Sequence, residues 1–341
     1  MSKRKVTRRQ SWRIDKIQEE RANRALKRDS QIEKQLSGGE LGPEQQGLII
    51  SHYGKQVDVE VLVGSQQGEI VRCHLRTHLG QLVTGDQVIW CRSPDGGVVV
   101  AVNPRKTQLQ RPNNHGELKP VAANIDQIII TLAPEPRAHA NLIDRYLIAC
   151  ERSEIEPILL LNKTDLINDE NAQWLMPMLE IYQNIGYKII HTSAGRDETL
   201  DELKAQLNHR ISVFVGQSGV GKSSLINALL PGIDLKVGEL SEQSGKGRHT
   251  TTTARLFHMP DGGDLIDSPG IREFGLWHMD EEQVLDGFIE FRPFTGHCRF
   301  RDCKHLQEPG CALLQAVEQG EITEQRFRSY RMILNSMLEV I

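Results

Sequence analysis

Ile211-Ser-Val-Phe-Val215, followed by Gly216-Gln-Ser-Gly-Val-Gly-Lys-Ser223, is the stretch that decides the fold. A β-branched and aromatic run enters a glycine-rich turn, and apolar residues at helical spacing follow in 224–230. In a phosphate-binding loop of this form, backbone N–H groups and a helix N-terminus surround one anion. A glycine-rich strand–helix turn without a ligand is the alternative. We interpret the stretch as a nucleoside triphosphate site.

Individual residues of this loop have separate predicted roles. The Lys222 ammonium suits the β- and γ-phosphates, and the Ser223 hydroxyl suits Mg²⁺. The predicted nucleotide-binding residues of the loop are Gly216, Gln217, Ser218, Gly219, Val220, Gly221, Lys222, Ser223 and Ser224.

Bulk composition limits the class of protein. The chain has 341 residues, 38% of them hydrophobic and 25% charged, which is typical of a soluble protein with two or three domains. Its apolar runs are too short to span a membrane, and we expect no secretory leader. These features predict a cytoplasmic protein, which we expect to be a monomer.

Charge is distributed unevenly along the chain. Residues 1–37 carry twelve Lys/Arg against five Asp/Glu, although the whole chain has a formal net charge of −4. A basic arm over 1–40, predicted to be disordered, suits a polyanion such as RNA, but it also fits a solubilising tail.

Two regions with different patterns of apolar residues follow the arm. Five short β-rich segments between residues 47 and 109 predict a small barrel of the OB type, with an SH3-like barrel as the alternative. From Asn124, strands alternate with helices, which predicts a parallel, doubly wound α/β sheet. The predicted domains are the arm at 1–40, a barrel at 41–106, an α/β domain at 107–276 and a helical domain at 277–341.

A guanine-recognition motif comes after one predicted strand of the α/β domain. The motif is Asn162-Lys163-Thr164-Asp165. A carboxylate at its end accepts from guanine N1–H and from the exocyclic amine, whereas adenine would leave it unpaired. Ser193 and Ala194 end the next strand, where the Ala194 N–H can meet guanine O6.

Two further segments suit the γ-phosphate and Mg²⁺. Asp267 in Asp-Ser-Pro-Gly270 can hold Mg²⁺ through water, while the Gly270 N–H meets the γ-phosphate. The loop Gly247-Arg-His-Thr-Thr-Thr-Thr253 offers hydroxyls for Mg²⁺, among which we select Thr251.

A Cys/His cluster near the C-terminus predicts structural zinc. Cys298, Cys303, His305 and Cys311 form a Cys₃His set of the kind that binds tetrahedral Zn²⁺. His297 is an alternative nitrogen ligand, and three unrelated buried cysteines are the alternative to a metal site.

The order of these motifs is rotated, because the guanine motif precedes the phosphate loop. The rotated order, the preceding barrel, the Gly-Arg-His-Thr-Thr-Thr loop and the Cys/His cluster resemble the ribosome small-subunit-dependent GTPase A family. The resemblance covers about residues 45–340 and implies a circularly permuted P-loop GTPase with an OB barrel and a zinc-binding helical domain. It also implies a factor in late maturation of the small (30S) subunit, bound to 16S rRNA. GTP hydrolysis would be slow and stimulated by that subunit.

Hydrolysis requires a residue that orients water. Many GTPases carry Gln directly after Asp-x-x-Gly, but Ile271 stands there and cannot do so. We predict that His249 positions the water, with an exposed loop histidine or an RNA contact as alternatives. Two other functional classes are a non-enzymatic RNA-binding module that senses GTP and GDP, and a P-loop ATPase or small-molecule kinase. A further hypothesis is that γ-phosphate loss moves the C-terminal region.

Overall fold

The computed structural model describes residues 41–76, 79–112, 117–231, 254–267 and 279–338. The predicted arm at 1–40, His249, Thr251 and Gly270 therefore lie outside the described residues. The chain divides into two compact units. The first comprises residues up to Leu82 together with Asp86–Pro104, and the second comprises Val83–Gly85 and residues from Arg105 onward. The predicted domain boundaries remain predictions.

The first unit is a closed five-stranded barrel, as the sequence predicts. Its strands are β1 (Glu44–His52), β2 (Gln56–Val61), β3 (Ile70–Leu75), β4 (Gln87–Ser93) and β5 (Gly96–Val102). They are arranged in the order β1-β2-β3-β5-β4, and β4 pairs with β1 to close the barrel. The parallel pairing of β3 with β5 makes this a Greek-key barrel of the OB type rather than a meander. Alternating apolar side chains around the fully buried Trp90 fill the interior.

A two-stranded hairpin begins the second unit, and the sequence analysis does not predict it. β6 (Gln108–Pro112) pairs antiparallel with β7 (Leu118–Ala123). Strand β6 is mostly polar, and each strand contains a proline, which lowers strand propensity. Burial of Leu109 and Ala122 holds one end of the hairpin against the rest of the unit.

The central sheet of the second unit has its strands side by side in the order β10-β9-β8-β11-β13-β12. These strands are β8 (Gln127–Leu132), β9 (Glu156–Leu161), β10 (Lys188–His191), β11 (Ile211–Val215), β12 (Arg255–His258) and β13 (Asp264–Asp267). The first five in spatial order are parallel, as predicted, whereas β12 runs antiparallel to β13. The exception arises because β12 and β13 are joined by a short hairpin, with no crossover helix between them.

Helices cover both faces of this sheet. They are α1 (Ala140–Arg152), α2 (Asp169–Ile185), α3 (Asp201–Leu207) and α4 (Lys222–Leu229). Helices α3 and α4 pack on one face, against Ile129, Ile158 and Leu160. Successive side chains of a strand point to opposite faces of the sheet, and every residue of β8 is buried. The second face of β8 is therefore also covered, and it is the face that α1 contacts. The doubly wound prediction is confirmed.

Three further helices complete the described chain. They are α5 (Glu281–Asp286), α6 (Ala312–Glu318) and α7 (Glu324–Leu338), with a 3₁₀ segment at Ile289–Phe294. Phe288, Phe291 and Tyr330 form an aromatic core, and Ile148 of α1 packs into the same cluster. Within the described residues, no helix is long and apolar enough to cross a bilayer.

A buried arginine joins α7 to α1. Arg326 is 1% exposed and forms an ion pair with Asp144, which is fully buried. Its Nε also donates to Glu290 Oε1 at 2.6 Å, while the Tyr182 hydroxyl donates to Asp144 Oδ1 at 2.6 Å. Burial lowers the pKa of Arg326, but Asp144 and Glu290 more than offset this, so its pKa is raised. The guanidinium therefore remains charged inside the protein.

Replacing Arg326 with Met tests this network. The change leaves the Asp144 carboxylate buried without a cation, and such a loss costs about 3–5 kcal/mol of unfolding free energy. Arg328→Met is the matched control, because Arg328 lies on the same helix but pairs with Glu324 in solvent. The control should cost less than about 1 kcal/mol. Urea denaturation at pH 7 measures both values.

The loss of unfolding free energy in Arg326→Met, called the deficit below, should also depend on pH. Burial raises the pKa of Asp144, although Arg326 lowers it, so removing Arg326 should raise this pKa further and make the ionised form oppose folding more strongly above the ordinary carboxyl pKa. As pH falls from 7 towards 5, protonation neutralises Asp144, and the deficit of Arg326→Met should shrink. Equal costs for the two variants at pH 7 would contradict the role of Arg326.

Candidate nucleotide and metal sites

Four predicted motif segments meet at one edge of the central sheet. The guanine motif comes after β9, Ser193 and Ala194 after β10, the phosphate loop after β11, and Asp267 ends β13. These strands are parallel, so their carboxyl ends lie at the same edge. A ligand in the crevice at that edge would contact segments that are distant in sequence.

Asn162 connects the guanine motif directly to the phosphate loop. Its side chain is fully buried, and Nδ2 donates to the Val220 carbonyl at 2.9 Å. Its Oδ1 accepts from the Ala194 N–H at 3.3 Å. Three of the predicted segments are therefore joined through one amide side chain. Sequence reasoning selects Asn162 but assigns it no such contacts.

Lys163 makes a second connection to the phosphate loop. Its Nζ donates to the Gly219 carbonyl at 2.6 Å and to the Glu135 carbonyl at 3.0 Å. The backbone of Lys163 has φ 58°, a conformation uncommon outside glycine and asparagine. The methylene stem thus extends across the crevice edge, where it can cover the face of a base.

Asp165 is exposed and held in a fixed orientation. The Ser193 hydroxyl donates to Asp165 Oδ1 at 2.5 Å. This hydrogen bond is the main reason that the pKa of Asp165 is lowered. An ionised carboxylate accepts hydrogen bonds only, which is the chemistry required by guanine N1–H and its exocyclic amine.

Glycines shape the phosphate loop where side chains would collide. Gly216 has φ 137°, and a Cβ there would lie 2.2 Å from the Thr131 carbonyl oxygen. Gly221 has φ 93°, and a Cβ there would lie 2.4 Å from Asn162 Nδ2. Lys222 begins α4 and donates to the Gly216 and Gln217 carbonyls, both at 2.7 Å. The ammonium therefore lies over the loop.

Sequence reasoning misses one support of the loop. The Tyr146 hydroxyl on α1 hydrogen-bonds with the backbone of Gly216, although burial has the larger effect and raises the pKa of Tyr146. The 5% exposure of Tyr146 resembles that of ordinary core residues, and its sequence context carries no motif.

Asp267 lies next to the phosphate loop in the sheet. Ser212 of β11 pairs in parallel register with Leu265 of β13. Continuing this register places Asp267, the last residue of β13, level with Phe214, two residues before Gly216. This register brings Asp267 to the same edge of the sheet as Ser223. These are the two residues assigned to Mg²⁺ from the sequence that the structure describes.

The predicted metal ligands form a compact cluster. One ligand atom each from Cys298, Cys303, His305 and Cys311 lies within 4.8 Å of the others. The Cys298 and Cys311 sulfurs are 3.9 Å apart, and His305 Nδ1 lies 3.6 Å and 3.3 Å from them. His297 is outside the cluster, with its Nδ1 at 3.2 Å from the Thr295 carbonyl oxygen.

These spacings fit a tetrahedral metal ion. Bonds of about 2.3 Å to sulfur and about 2.0 Å to nitrogen place ligand atoms roughly 3.5–3.8 Å apart. The Ala312 N–H at the start of α6 also donates to Cys298 Sγ at 3.4 Å, which favours a thiolate. The four residues could therefore hold a metal ion.

Sequence comparison identifies close relatives. A family model described as RsgA GTPase matches residues 102–277. The chain is 60% identical over 340 residues to "Small ribosomal subunit biogenesis GTPase RsgA" of Azotobacter vinelandii, and 61% identical to the protein of that name from Pseudomonas aeruginosa. Each alignment covers 99% of this chain and 99% of the relative.

Solved structures agree with the sequence relatives. YjeQ from Thermotoga maritima is 33% identical with a TM-score of 0.71, and the match covers 87% of this chain and 99% of that one. YloQ, described as a circularly permuted GTPase, is 29% identical with a TM-score of 0.70 over 88% and 96% of the two chains. The predicted circular permutation and the predicted family are confirmed. The chain belongs to the RsgA GTPase family.

Proposed function

We propose that this protein is a GTPase that assists late maturation of the small (30S) ribosomal subunit, binding its 16S rRNA and acting as a cytoplasmic monomer. Hydrolysis is slow alone and faster on the subunit. The names of relatives that match nearly the whole chain support the subunit as partner. The observation that carries the nucleotide part is the contact of Asn162 and Lys163 with the phosphate loop.

That contact supports guanosine triphosphate as the ligand. A nucleotide whose phosphates bind at Gly216–Ser224 would have its base near the segment that ends in Asp165. The carboxylate discriminates guanine from adenine, because adenine offers an acceptor where guanine offers a donor. Ser193 orients this carboxylate, and the Ala194 N–H is the predicted donor to guanine O6.

Magnesium and the attacking water complete the proposed chemistry. Mg²⁺ bound with GTP offsets the charge that develops on the β- and γ-phosphate oxygens. Ser223 and Thr251 would supply hydroxyl ligands to Mg²⁺, Asp267 would hold it through water, and the Gly270 N–H would meet the γ-phosphate. His249 positions the water, since Ile271 stands where other GTPases carry glutamine.

Zinc is the proposed ion of the Cys₃His cluster. Three thiolates and one imidazole favour Zn²⁺ over Mg²⁺ or Ca²⁺, which prefer oxygen ligands. With four protein ligands there is no open coordination position, so the ion has a structural role. It would fix the loop at 298–311 against α6, whose Leu313 and Ala316 lie in the apolar core of this region.

Multiple-turnover phosphate release tests the function. We expect slow release from GTP by the protein alone, at least tenfold faster release with small subunits, and little change with large subunits or naked rRNA. His249→Ala should lose the stimulation but keep GTP affinity, because the histidine acts on water rather than on the nucleotide.

Several outcomes would contradict this proposal. Equal turnover of ATP would favour a P-loop ATPase or kinase. GTP binding without turnover, even with small subunits, would favour an RNA-binding module that senses the nucleotide. Stimulated turnover that survives His249→Ala would remove that residue from the mechanism.

Asp165→Asn tests base recognition. The carboxylate has two acceptor oxygens, whereas the amide has one acceptor oxygen and one donor NH₂ group. Because guanine presents two donors here, GDP affinity should fall about 100-fold or more. The introduced amide can donate to the 2-carbonyl of xanthine, so affinity for xanthosine diphosphate should rise. Calorimetric titration measures both, with the exposed Asp169→Asn as matched control. Unchanged GDP affinity would exclude Asp165 from the base site.

Elemental analysis of the purified protein tests the metal. We expect about one zinc per chain, with the content falling towards zero in Cys303→Ser and staying unchanged in His297→Ala. Chelation should also lower the thermal unfolding temperature, because metal binding contributes to folding. Full zinc content in Cys303→Ser, or its loss in His297→Ala, would contradict the assigned ligand set.

A further inference from the structure

A groove of about 510 Å³ lies in the second unit, away from the nucleotide motifs. One wall is the base of the β6–β7 hairpin, from Arg105 to Gln110, and the other is the end of α1 at 149–154. This volume falls within the usual range for ligand sites of roughly 300–1,000 Å³. The base of the hairpin is anchored, because the Lys106 N–H donates to Asn124 Oδ1 and the Thr107 hydroxyl donates to the Ile125 carbonyl.

Cations outnumber anions in the lining of the groove. Arg105, Lys106 and Arg152 line it against one carboxylate, Glu154. Lys106 and Arg152 are both exposed. Three cations at one concave surface attract phosphate groups and raise their local concentration.

Apolar side chains contribute another part of the lining. Leu118 from β7, Met279 and the buried Ala149 line the same groove. Leu118 leaves 42% of its surface exposed, although it is a large aliphatic residue. A ligand that combines a flat apolar face with a negative charge would match this lining, and a nucleotide has both parts.

The hairpin also carries a pair of cations on the face opposite Gln110 and Leu118, which line the groove. Arg111 of β6 and Lys119 of β7 are exposed and lie directly opposite each other across the strand pair. Like charges in that arrangement are destabilising unless an anion lies between them or over them. A neighbouring cavity shares Arg152 and Glu154 with the groove and is otherwise mostly acidic, with Glu151, Asp280 and Asp286 in its lining. A polyanion would therefore run along the hairpin and not past α5.

We propose that this groove binds one nucleotide of a single-stranded RNA. The base of that nucleotide packs against Leu118 and Met279, and the adjacent backbone phosphates contact Lys106, Arg152 and Arg105. The proposal rests on the proposed function, which supplies RNA as the partner. Base contact with side chains and phosphate contact with cations are the usual means of recognising single-stranded RNA. An acidic peptide is the competing occupant.

Charge reversal at the groove tests the phosphate contacts. Lys106→Glu with Arg152→Glu should weaken binding of a uridine oligonucleotide and of small subunits about tenfold or more, and should reduce the salt slope by about two. Lys188→Glu with Arg331→Glu is the matched control, with the same change in net charge at exposed residues elsewhere on the unit. Basal GTP turnover should remain unchanged in both.

Leu118→Ser tests the base contact. It should weaken binding of the uridine oligonucleotide severalfold but leave binding of inorganic polyphosphate, which has no base, unaffected. The proposal is overturned if charge reversal affects RNA binding no more than the control does. It is also overturned if Leu118→Ser has no effect on the oligonucleotide, or if polyglutamate binds the protein and the oligonucleotide does not.

The two proposals fail in distinguishable ways. Absence of GTP turnover in the unaltered protein would contradict the proposed function. The oligonucleotide binding measurements would still show whether the groove binds RNA. Normal stimulated turnover with an unaltered RNA affinity in the charge-reversed protein would remove the groove alone.

Discussion

The hydrogen bond from Asn162 Nδ2 to the Val220 carbonyl is the contact on which the proposed nucleotide site depends. It joins the segment after β9 to the loop after β11, and β8 lies between those two strands. Because Asn162 is fully buried, losing the bond would leave polar groups unpaired in the interior, which costs more than the bond itself contributes. The adjacent Lys163 adds a second bond to the same loop. The site is therefore built into the core of the sheet, whatever the order of its segments along the chain.

Circular permutation places the C-terminal region directly after the last segment of the site. In this chain β13 ends at Asp267, and the described chain resumes at Met279 before the C-terminal helices. Helix α1 contacts both regions, because Tyr146 bonds with Gly216 of the phosphate loop while Asp144 pairs with Arg326 of α7. One rigid element thus connects the phosphate loop with the helical region. Movement of that region on γ-phosphate loss remains a prediction.

Sequence patterns predict the elements whose periodicity is strong. The buried strands, the order of their motifs and the Cys₃His cluster are all evident from residue type and spacing. The β6–β7 hairpin is not predicted, because the polar residues of β6 and a proline in each strand resemble a loop until Leu109 and Ala122 are seen to be buried. Arg326 and Arg328 are two positions apart on a helix and so lie on opposite faces, with Arg326 on the face of the buried Tyr330 and Ile333. Helical periodicity therefore separates them, but the partner of Arg326 is Asp144, 182 residues away, so the ion pair cannot be read from the chain.

We propose that one crevice holds both the base and the phosphates of a single nucleotide. The most direct measurement is a crystal structure of the full chain with Mg²⁺ and a non-hydrolysable GTP analogue. We expect guanine N1 and the exocyclic amine within hydrogen-bonding distance of Asp165, with the β- and γ-phosphates at Lys222. An analogue whose phosphates bind at Lys222 while its base lies away from Asp165, or one bound in another cleft, would contradict it.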